Sequence, residues 1–151
     1  MNIVKTFDQF DEKYIYYCDP IKNNVISDGS FIRIIYSTPY FSLNGINLLI
    51  SLNNIFIEKY YSKFKCSFNV DTHYALIENI RQMEENILKN VTILNKTAQF
   101  KIYEQMKNGN IKIFSDNIEK TNNIFMLKIS GIWETDQYYG LTYKFVKINH
   151  Q

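Results

Sequence analysis

Lysines alternate with aromatic residues along several segments of this chain that have the composition of β-strands. Lys101 stands two residues before Tyr103, and Lys112 two residues before Phe114, so strand geometry would place each pair on one face. Lysines on such a face can neutralise phosphates while flat rings stack on unpaired bases. The pattern therefore indicates single-stranded nucleic-acid binding. An ordinary half-buried sheet in a lysine-rich chain also shows this alternation, and the pattern alone leaves both interpretations open.

The candidate contacts follow from the expected outward positions of these strands. The lysines expected to contact phosphates are Lys63, Lys65, Lys101, Lys112, Lys128 and Lys144. The aromatic residues expected to stack on bases are Tyr60, Tyr103, Trp133 and Tyr143. Trp133 is the only tryptophan of the chain, and a place in the core is the alternative for it.

Charge is distributed unevenly, although the whole chain has a formal net charge of only +2. Residues 1–88 contain eight basic and ten acidic side chains, whereas residues 89–151 contain nine lysines and five acidic side chains. The weak overall charge gives no strong general attraction to polyanions. The excess of positive charge is instead expected in the C-terminal part, where most of the candidate lysines lie.

Residues suited to catalysis, metal binding or a cofactor are scarce. The chain has two histidines, His73 and His150, and two cysteines, Cys18 and Cys66, at spacings that form no zinc site. Nucleophilic catalysis needs a base beside the nucleophile, and the sequence indicates no such pair and no phosphate-binding glycine motif. We therefore expect no enzyme activity, no metal and no cofactor, with both histidines at surface or capping positions.

Signals for export or membrane insertion are also missing from the sequence. The first residues, MNIVKTFDQFDEKY, lack the apolar run of a signal peptide, and no apolar run is long enough to span a membrane. Two cysteines are too few for a disulfide framework. We therefore expect an intracellular, soluble protein with free thiols.

Hydrophobic periodicity predicts one helix among several strands. Apolar residues recur at three- and four-residue steps from about residue 71 to 91, which predicts an amphipathic helix. Strands are predicted at 31–36, 47–52, 55–61 and 63–70. The segments AQFKIYEQM and NIKIFSD are predicted to pair as a hairpin across Asn108 and Gly109, because Asn-Gly favours a type I′ turn.

The last two strands, NIFMLKISGIWE and YYGLTYKFVKI, are predicted to pair across a turn at 135–137. Gly131 predicts a β-bulge that bends the first of them and re-aims Trp133. The order of elements predicts a mainly β fold, an OB-fold-like antiparallel β-barrel with one amphipathic α-helix at about 71–91, as a single domain over residues 1–151. A β-sandwich with a helical insertion is the alternative architecture.

Two parts of the chain resemble a known family. KISGIW at 128–133, followed by YGLTYK at 139–144, resembles the C-terminal S-G-I-W … G-[VL]-T-[WY]-K signature of predicted single-stranded DNA-binding proteins of nucleocytoplasmic large DNA viruses. YSTPYF at 36–41, ahead of Gly45, is similar to the L-x-T-P segment of the same family. Those proteins are related in fold to the OB-fold replication protein of short-tailed phages.

The resemblance implies an OB-fold protein that coats single-stranded DNA during viral replication, recombination or repair, without catalysis or a cofactor. RNA as a ligand and self-association into a homo-oligomer stay open, and no membrane is expected as a partner. The phage-type proteins recruit polymerase and helicase through an acidic tail, whereas this chain ends in VKINHQ, so such recruitment is not expected. The expected location is the host cytoplasm or nucleus at sites of viral replication, or the virion.

A structural or protein-interaction module is the alternative function. It would be a virion component, for instance, that uses the same barrel without binding nucleic acid. The modest net charge and the many Asn and Tyr residues, which can make polar contacts at an interface, are compatible with this alternative.

Overall fold

The structure, a computed structural model, describes residues 5–22, 29–91, 93, 95–115, 118 and 123–148. The strands of this part, β1 to β11 in chain order, are Ile15–Tyr17, Ile21–Lys22, Ser30–Ser37, Ser42–Asn44, Ile46–Ser51, Phe56–Tyr60, Lys63–Ser67, Thr97–Gln99, Asn110–Phe114, Ile124–Glu134 and Tyr138–Lys147. The α-helices are α1, Tyr74–Lys89, and α2, Lys101–Lys107; short 3-10 helices lie at Glu12–Tyr14 and Asp71–His73. The predicted mainly β fold and the predicted helix near 71–91 are confirmed.

The strands form one mixed sheet that stays open. Its main order is β1-β3-β10-β11-β9-β7-β6, with β2 and β4 beside β3, β5 beside β10 and β8 beside β11. Within the described ranges no pairing joins the edge strands β1 and β6, so the sheet does not close into the predicted barrel. β8 and β9 both run parallel to β11, so the sheet also departs from the predicted all-antiparallel arrangement.

Residues 98–106 differ most from the prediction, because helix α2 replaces most of a predicted strand. Strand alternation would bury Glu104 on the same face as Ile102, whereas a helix buries Ile102 with Met106 and leaves Glu104 exposed. The Asn108-Gly109 pair ends this helix and does not form the predicted hairpin turn. Gly109 has a φ of +79° and donates its N–H to the Met106 carbonyl at 3.0 Å. A left-handed glycine serves a helix end as well as a hairpin turn, which is why the local signal was ambiguous.

The segment β8-α2-β9 forms one interrupted edge beside β11. β8 pairs with residues 138–140 of β11, and β9 pairs with Phe145. Helix α2 lies against β11 and β9 between these two pairings. This edge of β11 is therefore covered partly by a helix, where the predicted hairpin would have placed continuous strand.

A β-bulge at Ser130 divides strand β10 into two halves. The pairing of β10 with β11 shifts register between Ile129 and Gly131, which leaves Ser130 as the extra residue. Residues 124–129 pair with β5, whereas residues 131–134 pair with β3. The predicted bulge is confirmed, and it is the point at which β10 exchanges one neighbouring strand for another.

Glycine is required at residue 131 by the close approach of β3. A Cβ atom on Gly131 would lie 2.3 Å from the carbonyl oxygen of Ile32 and 2.5 Å from the ring of Phe31. Both distances are far inside van der Waals contact. Any larger residue would therefore push the two strands apart.

The core is formed by one face of the sheet together with α1 and the short helix α2. The helix inserts apolar side chains at three- and four-residue spacing, namely Ile77, Ile80, Met83 and Ile87. Strand β7 contributes Phe64 and Cys66, as its alternation predicts. In the described part of the chain, no helix combines the length and the apolar character needed to cross a membrane.

We predict that Gly131→Ala lowers the free energy of unfolding by at least about 2 kcal/mol, because the new methyl group would overlap the Ile32 carbonyl. Equilibrium unfolding in urea measures the change. Ser130→Ala is the matched control, since Ser130 is exposed and its hydroxyl lies 3.4 Å from the Thr142 carbonyl oxygen. The control should change the free energy by less than about 0.5 kcal/mol. Small and equal effects of both substitutions would contradict the packing role of Gly131.

Candidate nucleic-acid interface

Strands β7 and β9 each have one buried face and one face that points away from the core, and β6 pairs with β7 at the edge of the sheet. The buried residues of β7 and β9 are Phe64, Cys66, Ile111 and Ile113. The residues between them point away from the core, on a side that we call the outer face. One row across the outer face consists of Tyr60, Lys63 and Phe114, and the next consists of Glu58, Lys65 and Lys112. The structure thus brings four of the predicted site residues together on these strands.

The outer face continues onto β10 and β11. Phe145 of β11 pairs with Ile113 of β9, and both side chains are buried, so Lys144 belongs to the outer face. Lys128 of β10 is directly opposite Lys144. The candidate lysines of β7, β9, β10 and β11 therefore lie on the same side of the sheet.

Two pairs of lysines face each other across neighbouring strands. Lys65 is opposite Lys112, and Lys128 is opposite Lys144. Like charges in such positions destabilise a sheet. None of these four lysines forms an ion pair with a carboxylate of the described residues. The outer face therefore carries positive charge that a bound anion can neutralise.

Glu58, on the edge strand β6, places a carboxylate within this lysine-rich surface. It lies opposite Lys65 of β7. The hydroxyl of Tyr60 donates to Glu58 Oε2 at 2.9 Å. This hydrogen bond, together with the negative charge of Glu58, raises the pKa of Tyr60. The contact holds the tyrosine ring at the sheet edge, where it is 41% exposed.

Two adjoining hollows open beside the outer face. The first, which we call the shelf, has a volume of about 420 Å³ and is lined by Tyr60, Tyr61, Lys63, Lys65, Asn110 and Lys112. The second, which we call the cleft, has a volume of about 710 Å³ and lies between α2, β9 and β11. Helix α2 lines the cleft with Lys101, Glu104, Gln105 and Asn108. The two strands line it with Asn110, Lys112, Phe114 and residues 143–145, so Asn110 and Lys112 belong to both hollows.

Most of the predicted site residues line one of these hollows. Those that do are Tyr60, Lys63, Lys65, Lys101, Lys112, Tyr143 and Lys144. Lys128 adjoins them through its pairing with Lys144. Tyr103 and Trp133 line neither hollow.

Lys101 and Tyr103 lie on helix α2 and not on the strand predicted for them. Side chains two residues apart on a helix point in different directions, whereas on a strand they would share a face. Lys101 lines the cleft, but Tyr103 packs against the core with Lys107 Nζ 5.9 Å from its ring centroid. Tyr103 is therefore separated from the other candidates.

Tyr143 lies on the buried face of β11, where it forms one wall of the cleft. Its hydroxyl donates to Gln105 Oε1 at 2.8 Å, and its ring packs edge-on against Phe145. Burial, followed by the nearby carboxylates of Glu84 and Glu104, raises the pKa of Tyr143 to about 12. The hydrogen bond orients Gln105, and the tyrosine side chain is only partly exposed at the cleft.

Trp133 is half-buried on the outer face, where it packs on Gly140 of the neighbouring strand. A Cβ atom on residue 140 would lie 2.9 Å from the indole ring, so glycine lets the ring approach β11 this closely. Lys101 Nζ lies 5.0 Å from the indole centroid. Lys101 therefore contacts Trp133 and also lines the cleft.

Two exposed aromatic residues that line the hollows were not among the predicted stacking residues. Phe114 is 72% exposed and lines the cleft beside Lys112. Tyr61 is 99% exposed and lines the shelf. The alternation in NIKIF could have identified Phe114, because it shares a face with Lys112. No local signal marks Tyr61, which has a φ of +49° after the end of β6.

The buried carboxylate of Glu84 connects α1 to the start of α2. It accepts hydrogen bonds from the backbone N–H groups of Ile102 at 3.1 Å and Tyr103 at 2.9 Å. Helix α2 has no side-chain cap from its own N-cap residue, so Glu84 supplies the acceptors that its first turn needs. Burial raises the pKa of Glu84 to about 7, against the lowering effect of these two hydrogen bonds. One wall of the cleft is therefore held by a group that titrates near neutral pH.

The residues best suited to catalysis have structural contacts. His73, predicted at the surface or in a capping position, is buried; its Nε2 accepts from Asn53 N–H at 2.9 Å, and its Nδ1 lies 2.7 Å from the Asn69 carbonyl oxygen. Burial raises the pKa of the Cys66 thiol to about 11, which keeps it protonated at neutral pH. His150 lies outside the described residues. No group of three or more His, Cys, Asp or Glu side chains among the described residues is arranged to hold a metal ion.

The chain matches no protein-family model, no curated protein and no solved structure. A functional interpretation therefore depends on the geometry of the outer face, the shelf and the cleft, together with the motif resemblance.

We predict that Glu84 makes the protein less stable as the pH rises from about 5 to 8. The folded-state pKa of about 7 is above the ordinary value of 4.5, so between these values the folded protein binds the proton more tightly than the unfolded chain. The contribution of Glu84 to the free energy of unfolding should fall by up to about 3 kcal/mol over this range. Glu84→Gln keeps an acceptor but does not titrate, and it should lack this part of the decrease.

Urea unfolding at several pH values from 5 to 8 compares the two proteins. Glu12→Gln, a substitution at an exposed residue, is the control and should follow the wild-type profile. Parallel profiles for the wild type and Glu84→Gln would contradict a pKa near 7 for Glu84.

Proposed function

We propose that this chain is a non-catalytic protein that binds single-stranded DNA without sequence preference, at sites of viral DNA replication, recombination or repair inside the host cell. The observation that carries the proposal is the pairing of Lys65 with Lys112 and of Lys128 with Lys144 on a face that also presents exposed Phe114. The resemblance of the KISGIW and YGLTYK segments to the viral family supports the same function.

The lysines provide a continuous track for a phosphate backbone. Lys63 and Lys65 line the shelf, Lys112 lies at the junction, and Lys101 and Lys144 line the cleft. Each phosphate that such a lysine neutralises releases condensed counterions, which favours binding at low salt. These lysines form no ion pairs with carboxylates of the described residues, so no such ion pair has to be broken before a phosphate binds.

The exposed rings favour a single strand over a duplex. Tyr60 and Tyr61 line the shelf, and Phe114 lines the cleft. Stacking of an unpaired base on such a ring contributes about 1–3 kcal/mol and tolerates every base. Bases in a duplex are already paired and stacked, so they gain nothing from these rings. The same contacts suit RNA, and oligomers of thymidine and uridine would measure the preference.

We predict that the protein binds a thymidine oligomer of about 30 nucleotides and that log affinity falls with log salt with a slope of about −3, as expected for about four phosphate contacts on a single strand. Trp133 fluorescence provides the signal, because Lys101 contacts the indole and also lines the cleft. Lys112→Gln should weaken binding and bring the slope closer to zero by about 0.7.

Lys89→Gln is the matched control for this titration. Lys89 is exposed at the end of α1 and lines neither hollow, so its loss should leave affinity and slope unchanged. A wild-type slope near zero, with no anisotropy change of a labelled oligomer, would contradict the proposal and favour the structural or protein-interaction alternative.

We predict that Phe114→Ala weakens binding of the same oligomer about 5- to 150-fold, because one stacking contact is lost. The salt slope should stay the same, since no charge is removed. Tyr40→Ala, which removes a ring that is 92% exposed and lines neither hollow, should bind like the wild type. Unchanged affinity of Phe114→Ala would show that stacking at this residue contributes nothing.

A further inference from the structure

The cleft differs from a simple phosphate track because it contains Glu104. This residue is exposed on α2 and forms no ion pair with the described lysines around it. A carboxylate repels phosphates, so a site that recognises only the backbone of a strand gains nothing from it. The same group is a good acceptor for the N–H donors of a base.

Gln105 places a hydrogen-bond donor next to this acceptor. Its Oε1 accepts from the Tyr143 hydroxyl at 2.8 Å, which leaves the amide nitrogen to donate to a ligand. An acceptor for two N–H groups beside a donor matches the Watson–Crick edge of guanine. Guanine presents two adjacent donors, N1–H and the N2 amino group, next to the acceptor O6. The other three DNA bases have no two adjacent donors on that edge.

The rest of the cleft suits the remainder of a nucleotide. Its volume of about 710 Å³ lies within the range of pockets that hold small ligands, about 300–1,000 Å³. Lys112 and Lys144 can reach the phosphate, and the exposed ring of Phe114 can stack on the base. Charge, stacking and directional hydrogen bonding therefore meet in one hollow.

We propose that the cleft holds one nucleotide of the bound strand and prefers guanine, with Glu104 accepting from N1–H and N2–H and Gln105 donating to O6. This inference rests on the proposed function and adds a base preference at one position of an otherwise sequence-independent site.

The test compares 12-nucleotide thymidine oligomers that carry guanine, adenine, cytosine or thymine at one central position. Wild-type protein should bind the guanine oligomer about 5- to 10-fold more tightly than the all-thymidine oligomer. This preference is at the lower end of the discrimination that bidentate base contacts give, because the cleft is open. Glu104→Gln should abolish this preference and bind the all-thymidine oligomer slightly more tightly, because a negative charge is removed. Glu12→Gln, also at an exposed residue, should keep the preference.

A second measurement uses free nucleotides and does not depend on strand binding. In a titration followed by NMR, dGMP should shift the backbone amide signals of α2 and β9 at lower concentration than dTMP does. Glu104→Gln should remove the difference between the two nucleotides.

The two measurements separate this inference from the proposed function. If oligomers bind but the central base has no effect, or if Glu104→Gln weakens all oligomers equally, the guanine site is wrong and the strand-binding function stands. If oligomers do not bind but dGMP shifts the cleft signals in a Glu104-dependent way, the guanine site stands and the strand-binding function is wrong. If neither oligomers nor dGMP bind, both are wrong.

Discussion

The contact between Gly131 and the backbone of β3 determines how the sheet is assembled. Because residue 131 has no side chain, β3 can take its place beside the second half of β10 after the bulge. β3 in turn pairs with β1, β2 and β4, while β5 pairs with the first half of β10. The bulge also changes the phase of the strand, so Lys128 and Trp133, five residues apart, lie on the same face. One glycine therefore connects the assembly of the sheet to the composition of its outer face.

The cleft results from the way the second edge of β11, the edge away from β10, is covered. β11 is covered by β10 along its length, but on its second edge helix α2 lies between β8 and β9. The helix is held through Ile102 and Met106, which are buried, and through the hydrogen bonds from its first turn to Glu84. A short helix of this kind is marginal without tertiary contacts. The polar wall that α2 gives the cleft therefore depends on a carboxylate from α1.

The sequence predicted those elements whose signal is local. Helix α1, the alternating strand β7 and the bulge beside Gly131 each follow from a pattern within a few residues, and all three are present. Helix α2 and the open, mixed sheet were not predicted, because they depend on contacts distant in sequence, such as the cap that Glu84 gives to a segment eighteen residues later. The site shows the same division. The lysines of regular strands could be placed on one face, whereas Lys101 and Tyr103 could not, since their strand turned out to be a helix.

One feature of this surface lowers the stability of the free protein. Lysines face lysines across two strand pairs, where opposite charges or threonines would stabilise the sheet by about 0.2–1 kcal/mol for each pair. Under the proposed function, an anion lying along the outer face would convert the lysine repulsion into attraction, so the side chains that weaken the unliganded sheet would strengthen the complex. A bound polyanion therefore gives a physical reason for a charge arrangement that packing alone does not explain.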